Sequence, residues 1–299
     1  MNVSTAKSGC IARIALSLVL LVSAGAANAA RFLYTGGHSL DGPRVAALGH
    51  TYAVFTPNDA GWAAALAGTY GPFSAIVVGE ASNSYSLTVA TSSAIAAYVG
   101  AGGRVIVASD HNGSVGFLNA IFGYSAVVHY GCRSNGLVAA SLQLSAVGSS
   151  FAGGPTTVSN LSCTSAFTSA SIPATSRNLY TGTDGGVATT LVFASGYGTG
   201  RLVWQGWDFF PRGTAGQQDD WYMVFDSSLK FTAASCTDQG FTGPRLTLCK
   251  QTCEVVQSPA TQAGLIRLYT AIYRTAPFCS FVSPQRPPAA VVLSGGGFG

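Results

Sequence analysis

The sequence predicts an α/β protein with an open parallel sheet covered by helices, and two patterns carry that prediction. Short runs rich in β-branched and aromatic residues alternate with helical stretches between residues 31 and 126, an order typical of strand–helix–strand units. These runs lack alternating polar residues, as strands do when both of their faces are buried. A third pattern, a group of cysteines near the carboxyl end, predicts a separate small helical module.

The predicted elements follow in order along the chain. The clearest unit is a helix over residues 87–99, which Gly102 and Gly103 stop before a central strand over 104–109. The remaining elements of the parallel unit are strands at 31–37, 52–56 and 74–79 and helices at 115–122 and 219–229.

The character of the sequence changes at about residue 127. Residues 127–176 are rich in serine, threonine and glycine, which predicts an inserted, mostly irregular or β-rich lobe that a disulfide between Cys132 and Cys163 would close. Two strands at 189–195 and 200–206, joined by a glycine-containing loop, then predict a hairpin. The expected fold is therefore a flavodoxin-like open parallel sheet with an antiparallel hairpin at one edge.

The first thirty residues have the three-part layout of a cleavable secretory signal. Lys7 and Arg13 precede an apolar run over 14–22, and the small residues Ala-Asn-Ala end at Ala29. Cleavage is expected just after Ala29 or Ala30. The alternative, a membrane anchor, needs roughly 18 apolar residues, about twice this run. The sequence thus predicts a secreted or periplasmic protein with no membrane span after signal removal.

The formal charge limits the classes of binding partner that the sequence predicts. Removing the leader takes away two of the 15 basic residues and none of the 11 acidic ones, which leaves a formal charge of +2. That balance argues against a nucleic-acid partner, which requires clustered lysine and arginine. With 9% charged and 48% hydrophobic residues, the chain can bury a core and is not of the disordered type.

Six of the seven cysteines lie beyond the leader, and an even number in an exported chain predicts up to three disulfides. A zinc site is the weaker alternative, because the Cys/His spacings do not match those of metal sites. Cys249 and Cys253 share a face of one predicted helix and a second helical run spans 262–274, so two helices stapled by cystines are expected. The candidates are Cys132, Cys163, Cys236, Cys249, Cys253 and Cys279.

The chain therefore divides into four expected parts. They are a signal peptide over 1–30, an α/β domain over 31–232 with the insertion at about 127–176, a cysteine-containing helical module over 233–280, and a flexible tail over 281–299.

Three motifs give the α/β domain a family resemblance. They are YTGGH at 34–38, YVGAGGRV at 98–105, and GTGR at 198–201 leading to GWD at 206–208. In this order they resemble the ThuA-like, trehalose-utilisation branch of the class I glutamine amidotransferase-like superfamily, over about residues 31–230. The resemblance implies a link to carbohydrate. The segment 243–254 is similar to a cysteine-containing helical module of exported bacterial proteins.

The sequence departs from that superfamily at the nucleophile. Amidotransferases of the superfamily carry a cysteine on a sharp strand-to-helix turn, where this chain has Ser109-Asp110-His111-Asn112. Glutamine hydrolysis through a thioester is therefore not expected. No G-x-S-x-G motif precedes a helix after the leader, so a serine elbow is not expected either.

Polar residues nevertheless collect where the strands are predicted to end, which is where open parallel sheets bind ligands. Asp110 and His111 are the candidates for catalysis, because a carboxylate beside an imidazole can orient it for proton transfer. No cofactor is expected, although His38, Asp110 and His111 could together ligate a metal. The expected binding residues are His38, Glu80, Asn112, Trp207 and Asp208.

Each candidate also has a structural alternative. Asp110 could cap the following helix, Asn112 could serve the turn, and Glu80 could be a solvated loop acid. Trp207 is expected mainly as a packing residue, although an exposed tryptophan could stack on a sugar ring. Structural or surface roles are expected for the other two histidines of the mature chain, His50 and His129.

Three functions remain open from sequence. The first is a non-catalytic exported protein that binds a glycan or another cell-envelope component. The second is a hydrolase or sugar-modifying enzyme that uses Asp110 and His111, with Asp208 or Glu80 as a partner and with or without a metal. The third is an interaction protein assembled through its C-terminal module.

Overall fold

The computed structural model describes most of the chain between residues 29 and 274. The described residues are 29–37, 40–79, 87–108, 113–133, 139–146, 149–159, 161, 163–173, 176–211, 213–231, 242–253 and 259–274.

A single mixed sheet of 11 strands organises these residues. The strands are β1 (Arg31–Tyr34), β2 (Thr51–Val54), β3 (Ala75–Gly79), β4 (Arg104–Ala108), β5 (Val128–Arg133), β6 (Ala140–Leu142), β7 (Thr157–Val158), β8 (Thr164–Thr168), β9 (Arg177–Asp184), β10 (Val187–Tyr197) and β11 (Gly200–Gln205). Their order is β2-β1-β3-β4-β11-β10-β9-β6-β7, and β8 pairs with both β10 and β5. The first five strands in this order, which are β2, β1, β3, β4 and β11, are mutually parallel. With β11 counted as the fifth strand, this is the 2-1-3-4-5 order of a flavodoxin-like sheet.

Helices cover both faces of the parallel strands. Val45 of the first helix and Phe225 of the fifth pack with Phe32 of β1 on one face. Trp62 of the second helix packs with Leu33 of β1 on the other face, together with apolar residues of the third and fourth helices. The domain helices are α1 (Gly42–Ala47), α2 (Asp59–Leu66), α3 (Val89–Gly100), α4 (Gly113–Phe122) and α5 (Ala215–Lys230). The predicted α/β architecture is confirmed.

The unit from α3 to β4 forms for the reasons visible in the sequence. The Thr88 hydroxyl caps the start of α3 by accepting the Thr91 backbone N–H. At the other end, Gly102 has a φ of +111°, a left-handed conformation that ends the helix. The buried sequence of β4 then enters the centre of the sheet.

Two short helices were not predicted. In α1 and α2, alanine and glycine leave little apolar periodicity, and each helix is fixed by its cap. The Asp41 carboxylate accepts the Arg44 backbone N–H at 3.1 Å, and the Asn58 side chain accepts that of Gly61 at 2.8 Å. These caps, and not a hydrophobic stripe, were the readable signals.

The predicted hairpin is correct, but its position at the edge of the sheet is wrong. β10 and β11 pair antiparallel through the turn at Gly198. β11 also pairs in parallel with β4, and β10 pairs along its other side with β9. The 11-residue length of β10 explains the difference, because it allows β10 to link the parallel strands to a further antiparallel extension.

The lobe predicted over 127–176 is β-rich and joins the main sheet. Its strands include β5 to β8, and β8 pairs with β10 at Thr189 and Thr190. The predicted disulfide between Cys132 and Cys163 is present.

Two further helices, α6 (Gly243–Cys253) and α7 (Pro259–Tyr273), contact one another near the carboxyl end. Cys249 and Tyr269 are fully buried in this cluster, and Arg245 donates a hydrogen bond of 2.9 Å to the Tyr269 hydroxyl. Cys249 is disulfide-bonded. Cys236, Cys279 and the side chain of Cys253 lie outside the described residues. Across the described chain, no helix is both long and apolar enough to cross a membrane.

Candidate functional site

The carboxyl ends of three parallel strands lie side by side in the middle of the sheet. We call this row of strand ends the edge of the candidate site. Gly79 of β3 lies opposite Ala108 of β4, which in turn lies opposite Gln205 of β11. β1 ends beside them, since the Thr35 backbone N–H donates to the Val77 carbonyl at 3.0 Å. The helices that follow β1 and β3 pack on opposite faces of the sheet, and open sheets bind ligands at the carboxyl ends of the strands where such a reversal occurs.

The turn after β1 is packed directly against the end of β3. The Thr35 hydroxyl accepts the Gly79 backbone N–H at 3.0 Å. A Cβ at Gly79 would collide with the Tyr34 ring and the Gly36 carbonyl, so only glycine fits there. Gly36 and Gly37 have φ values of +84° and +104°. Residues 34–37 therefore form a tight turn that contacts the end of β3 through the Tyr34 ring, the Thr35 hydroxyl and the Gly36 carbonyl.

The turn after β11 places the candidate Asp208 at the same edge. Asp208 is fully buried, and its Oδ1 accepts the Phe210 backbone N–H at 3.0 Å, the geometry of an Asx turn. Between them, Phe209 has a φ of +72°, in the left-handed region that non-glycine residues rarely adopt. Strained backbone of this kind concentrates at functional sites.

Phe209 connects this turn with β1. Its ring lies edge-on to that of Tyr34 at 6.3 Å between centroids and edge-on to that of Phe225 at 5.0 Å. The turn after β11 thus reaches back toward the turn after β1, although β3 and β4 separate the two strands in the sheet.

Trp207 serves packing in this structure. Its side chain is fully buried among Phe209, Trp221 and Tyr222, and its indole N–H donates to the Phe210 carbonyl at 3.1 Å. A sugar ring cannot stack on a side chain that has no exposed face. Trp207 therefore supports the turn that carries Asp208.

Five of the candidates named from sequence lie outside the described residues. They are His38, Glu80, Asp110, His111 and Asn112. The chain segments to which they belong follow β1, β3 and β4, whose described ends are adjacent. Of the seven candidate residues, the structure thus describes Trp207 and Asp208, and both follow β11 as expected.

Gln205 is a polar residue that sequence reasoning missed. It ends β11, is fully buried, and donates through Nε2 to the Trp207 carbonyl at 3.2 Å. Its Oε1 has no hydrogen-bond partner among the described residues. A glutamine that ends an otherwise apolar strand was the available signal, because buried amides usually have partners for both of their polar atoms.

The insertion is fastened beside this edge. The Ser165 backbone N–H donates to the Gly206 carbonyl at 2.7 Å, and the Ser165 hydroxyl accepts the Cys132 N–H at 3.3 Å. A Cβ at Gly206 would collide with the Ser165 carbonyl. Ser165 therefore holds the insertion next to the turn that carries Asp208, and the Cys132–Cys163 disulfide closes the insertion on itself.

Two histidine–aspartate pairs were also missed. His50, predicted as structural or surface, is buried and its Nε2 lies 2.8 Å from Asp226 Oδ1. His129 Nε2 lies 2.8 Å from Asp184 Oδ2 and joins β5 to β9. Each pair brings together residues far apart in the chain, so no local pattern could reveal it.

The partners of Asp226, the carboxylate of the His50 pair, lower its pKa. Burial opposes ionisation of Asp226, but hydrogen bonds from His50 and Lys230, together with the charge of Lys230, hold the pKa of this carboxyl below its usual value. Lys230 Nζ lies 2.8 Å from the Asp226 carboxylate, one helical turn away on α5. Asp226 is therefore an ionised acceptor at neutral pH.

Within the described ranges, no group of three or more His, Cys, Asp or Glu side chains is placed to hold a metal ion. No protein-family model matches the chain, and no curated protein matches its sequence. The argument for function therefore rests on the edge of the sheet described above.

Proposed function

We propose that this chain is an exported, non-catalytic binding protein whose ligand, a glycan or another cell-envelope component, occupies the crevice at the carboxyl ends of β1, β3, β4 and β11. The observation that carries the proposal is the turn after β11. It sets the buried carboxylate of Asp208 at the sheet edge with a strained residue, Phe209, in contact with β1. Open α/β sheets bind ligands at such edges.

The described lining suits a neutral, hydroxyl-rich ligand. The exposed group at this edge is the backbone of Gly37 beside the half-buried Gly36, while the buried Thr35 and Asp208 side chains fix the conformations of the two turns. Sugar hydroxyls both donate and accept hydrogen bonds, so they match exposed backbone N–H and C=O groups. Recognition of an anionic ligand would instead call for a guanidinium or ammonium group at the strand ends.

Export supports this role and is part of the proposal. The leader-like sequence over 1–30 and the Cys132–Cys163 disulfide both favour an oxidising compartment outside the cytoplasm. The ThuA-like resemblance, which also remains a proposal, supplies the link to carbohydrate.

The test is binding of the mature protein to a panel of glycans and cell-envelope fragments. Asp208→Asn keeps the size of the side chain but weakens the hydrogen bond by which Asp208 fixes the turn at Phe210, so we expect affinity to fall by about tenfold, the effect of weakening one charge-assisted hydrogen bond. Asp184→Asn is the matched control, since Asp184 pairs with His129 in another part of the sheet. No binding across the panel, or equal losses in both variants, would overturn the proposal.

A second candidate, a hydrolase or sugar-modifying enzyme using Asp110 and His111 with Asp208 or Glu80, is favoured by one observation. The left-handed Phe209 is an expensive conformation that proteins retain chiefly where it positions a functional group. Turnover of glycoside or ester substrates that His111→Ala abolishes, with binding retained, would replace the binding role with this one. The same variant measured for metal content would show whether a metal at His38, Asp110 and His111 takes part.

The helical module over 233–280 is proposed to be stapled by disulfides among Cys236, Cys249, Cys253 and Cys279. The support is that Cys249 is fully buried and disulfide-bonded. Peptide mapping under non-reducing conditions identifies the pairing. A free thiol at any of the four positions would contradict the two-disulfide arrangement.

A further inference from the structure

A buried histidine, His50, accepts a hydrogen bond from the backbone just before β1. The Ala30 backbone N–H donates to His50 Nδ1 at 3.0 Å. Because Nδ1 accepts, the ring proton of the neutral imidazole is on Nε2, which donates to Asp226 Oδ1 at 2.8 Å. Lys230 completes the line by donating to Asp226. The side chain of His50 is fully buried, so this line is a fixed part of the fold.

Ala30 is held from both sides, and Ala29 is not. The Ala30 carbonyl accepts the Thr51 backbone N–H at 3.0 Å, which extends the pairing of β1 with β2 by one residue. Ala29 is exposed. Among the described residues, Ala30 is therefore the first that hydrogen bonds hold to the sheet.

We propose that export processing cuts between Ala29 and Ala30 and that the new α-amine of Ala30 docks on His50, with Asp226 behind it. This inference rests on the proposed export. It decides between the two cleavage points that the sequence leaves open. Cleavage after Ala30 would remove both of its hydrogen bonds and leave the buried His50 Nδ1 without its donor, which destabilises the fold because a buried acceptor loses its partner.

The chemistry of the step is peptide hydrolysis by a signal peptidase of the export machinery. Water adds to the Ala29 carbonyl carbon and the C–N bond to Ala30 breaks. The water oxygen leaves with the leader in the Ala29 carboxylate, and the nitrogen of Ala30 takes both hydrogens of the water and becomes an ammonium. The resulting ammonium keeps an N–H for His50 Nδ1 and gains a charge that makes this hydrogen bond stronger.

The first measurement is the intact mass and N-terminal sequence of protein expressed as the full precursor and recovered from outside the cytoplasm. A chain beginning Ala30-Arg31-Phe32 is expected. A chain beginning at Arg31 or later would overturn this inference while leaving the proposed export intact. An unprocessed chain retained in the cell would instead overturn the export on which both proposals depend.

The second measurement tests the docking itself by acetylating the mature protein with an amine-reactive ester at neutral pH. We expect the Ala30 amine to react about tenfold more slowly than that of a free peptide of sequence ARFLY, a factor that one charge-assisted hydrogen bond supports. His50→Ala should restore the peptide rate, and His129→Ala, at the other histidine–aspartate pair, should not. Lys250 on α6 is exposed and supplies an internal reference. Equal rates for wild-type protein and peptide would overturn the docking, and this comparison stands even if His50→Ala does not fold.

Discussion

The parallel strands of the sheet and its antiparallel extension are held together in different ways. In the parallel part, β4 pairs with β11 over five consecutive residues without a register shift, and helices cover both faces. In the extension, the pairings of β9 with β10 and of β5 with β8 both contain register shifts. The Cys132–Cys163 disulfide lies in this less regular part.

Both parts share the same two hydrophobic clusters, so the difference indicates that regular strand pairing distinguishes the parallel part, whereas the extension relies more on a few specific contacts. Two of these lie at the junction. Trp204 of β11 packs against Phe167 of β8 and Phe193 of β10, and Ser165 bonds to Gly206. The proposed ligand site lies beside this junction, so changes there should affect both stability and binding.

The largest effect is expected when the ring cluster at the junction is removed. Trp204→Ala deletes a buried ring whose centroid lies 4.3 Å from that of Phe167, and should lower the free energy of unfolding by about 3–5 kcal/mol. Trp204→Phe is the matched control and should cost less, because it keeps an aromatic ring. Urea denaturation followed by circular dichroism measures both. If the two variants lost equal stability, the ring contacts would not be what joins the two parts.

Loss of the disulfide should destabilise the extension and leave the parallel part unaffected. Cys132→Ser with Cys163→Ser opens a loop with a sequence separation of 31 residues and should cost about 3 kcal/mol. Hydrogen exchange followed by mass spectrometry should show faster exchange in β5 and β8 and unchanged protection in β1 and β3. Uniform loss of protection would mean that the sheet unfolds as one unit and that the comparison drawn above is wrong.

The same contrast explains what the sequence could reveal about the fold. The first four strands and α3 to α5 were predictable because their signals are local: buried β-rich runs, an apolar helix face and a stop at Gly102. β9 escaped because only part of it is buried and its pattern is mixed. The placement of β11 beside β4 depends on a pairing about 100 residues apart in the chain, which no local pattern encodes.

The position of Asp208 directly after β11 was predictable, and its role in binding stays a prediction. The contact of Phe209 with Tyr34 and the pairing of His50 with Asp226, 176 residues away, were not predictable. Both require the three-dimensional arrangement of α5 and β11 over β1, so histidines dismissed from sequence proved to be paired.

A smaller, pH-dependent effect is expected in the parallel part. The lowered pKa of Asp226 means that its contribution to stability is fully present above the unfolded value of about 3.9 and is lost as pH falls through the lower folded value. Asp226→Asn should cost about 2 kcal/mol at neutral pH, since it weakens hydrogen bonds to a charged group, and little near pH 2. Thermal unfolding at several pH values measures this. Asp219→Asn, at a mostly exposed carboxylate on the same helix, is the control that should leave the acid dependence unchanged.

The smallest effect tests how far the parallel part depends on a single cap. Thr214 begins α5 with a capping box, in which its hydroxyl accepts the Gln217 N–H at 3.3 Å and the Gln217 side chain accepts the Thr214 N–H at 2.9 Å. Thr214→Ala removes one of these bonds and should cost about 1 kcal/mol, which lowers Tm by about 2–4 °C in a domain of this size. Thr214→Ser keeps the hydroxyl and should leave Tm nearly unchanged. Because α5 carries Asp226 and packs on Phe32 and Phe209, a much larger loss for the alanine variant would mean that the N-terminus of this helix also holds the ligand site in place.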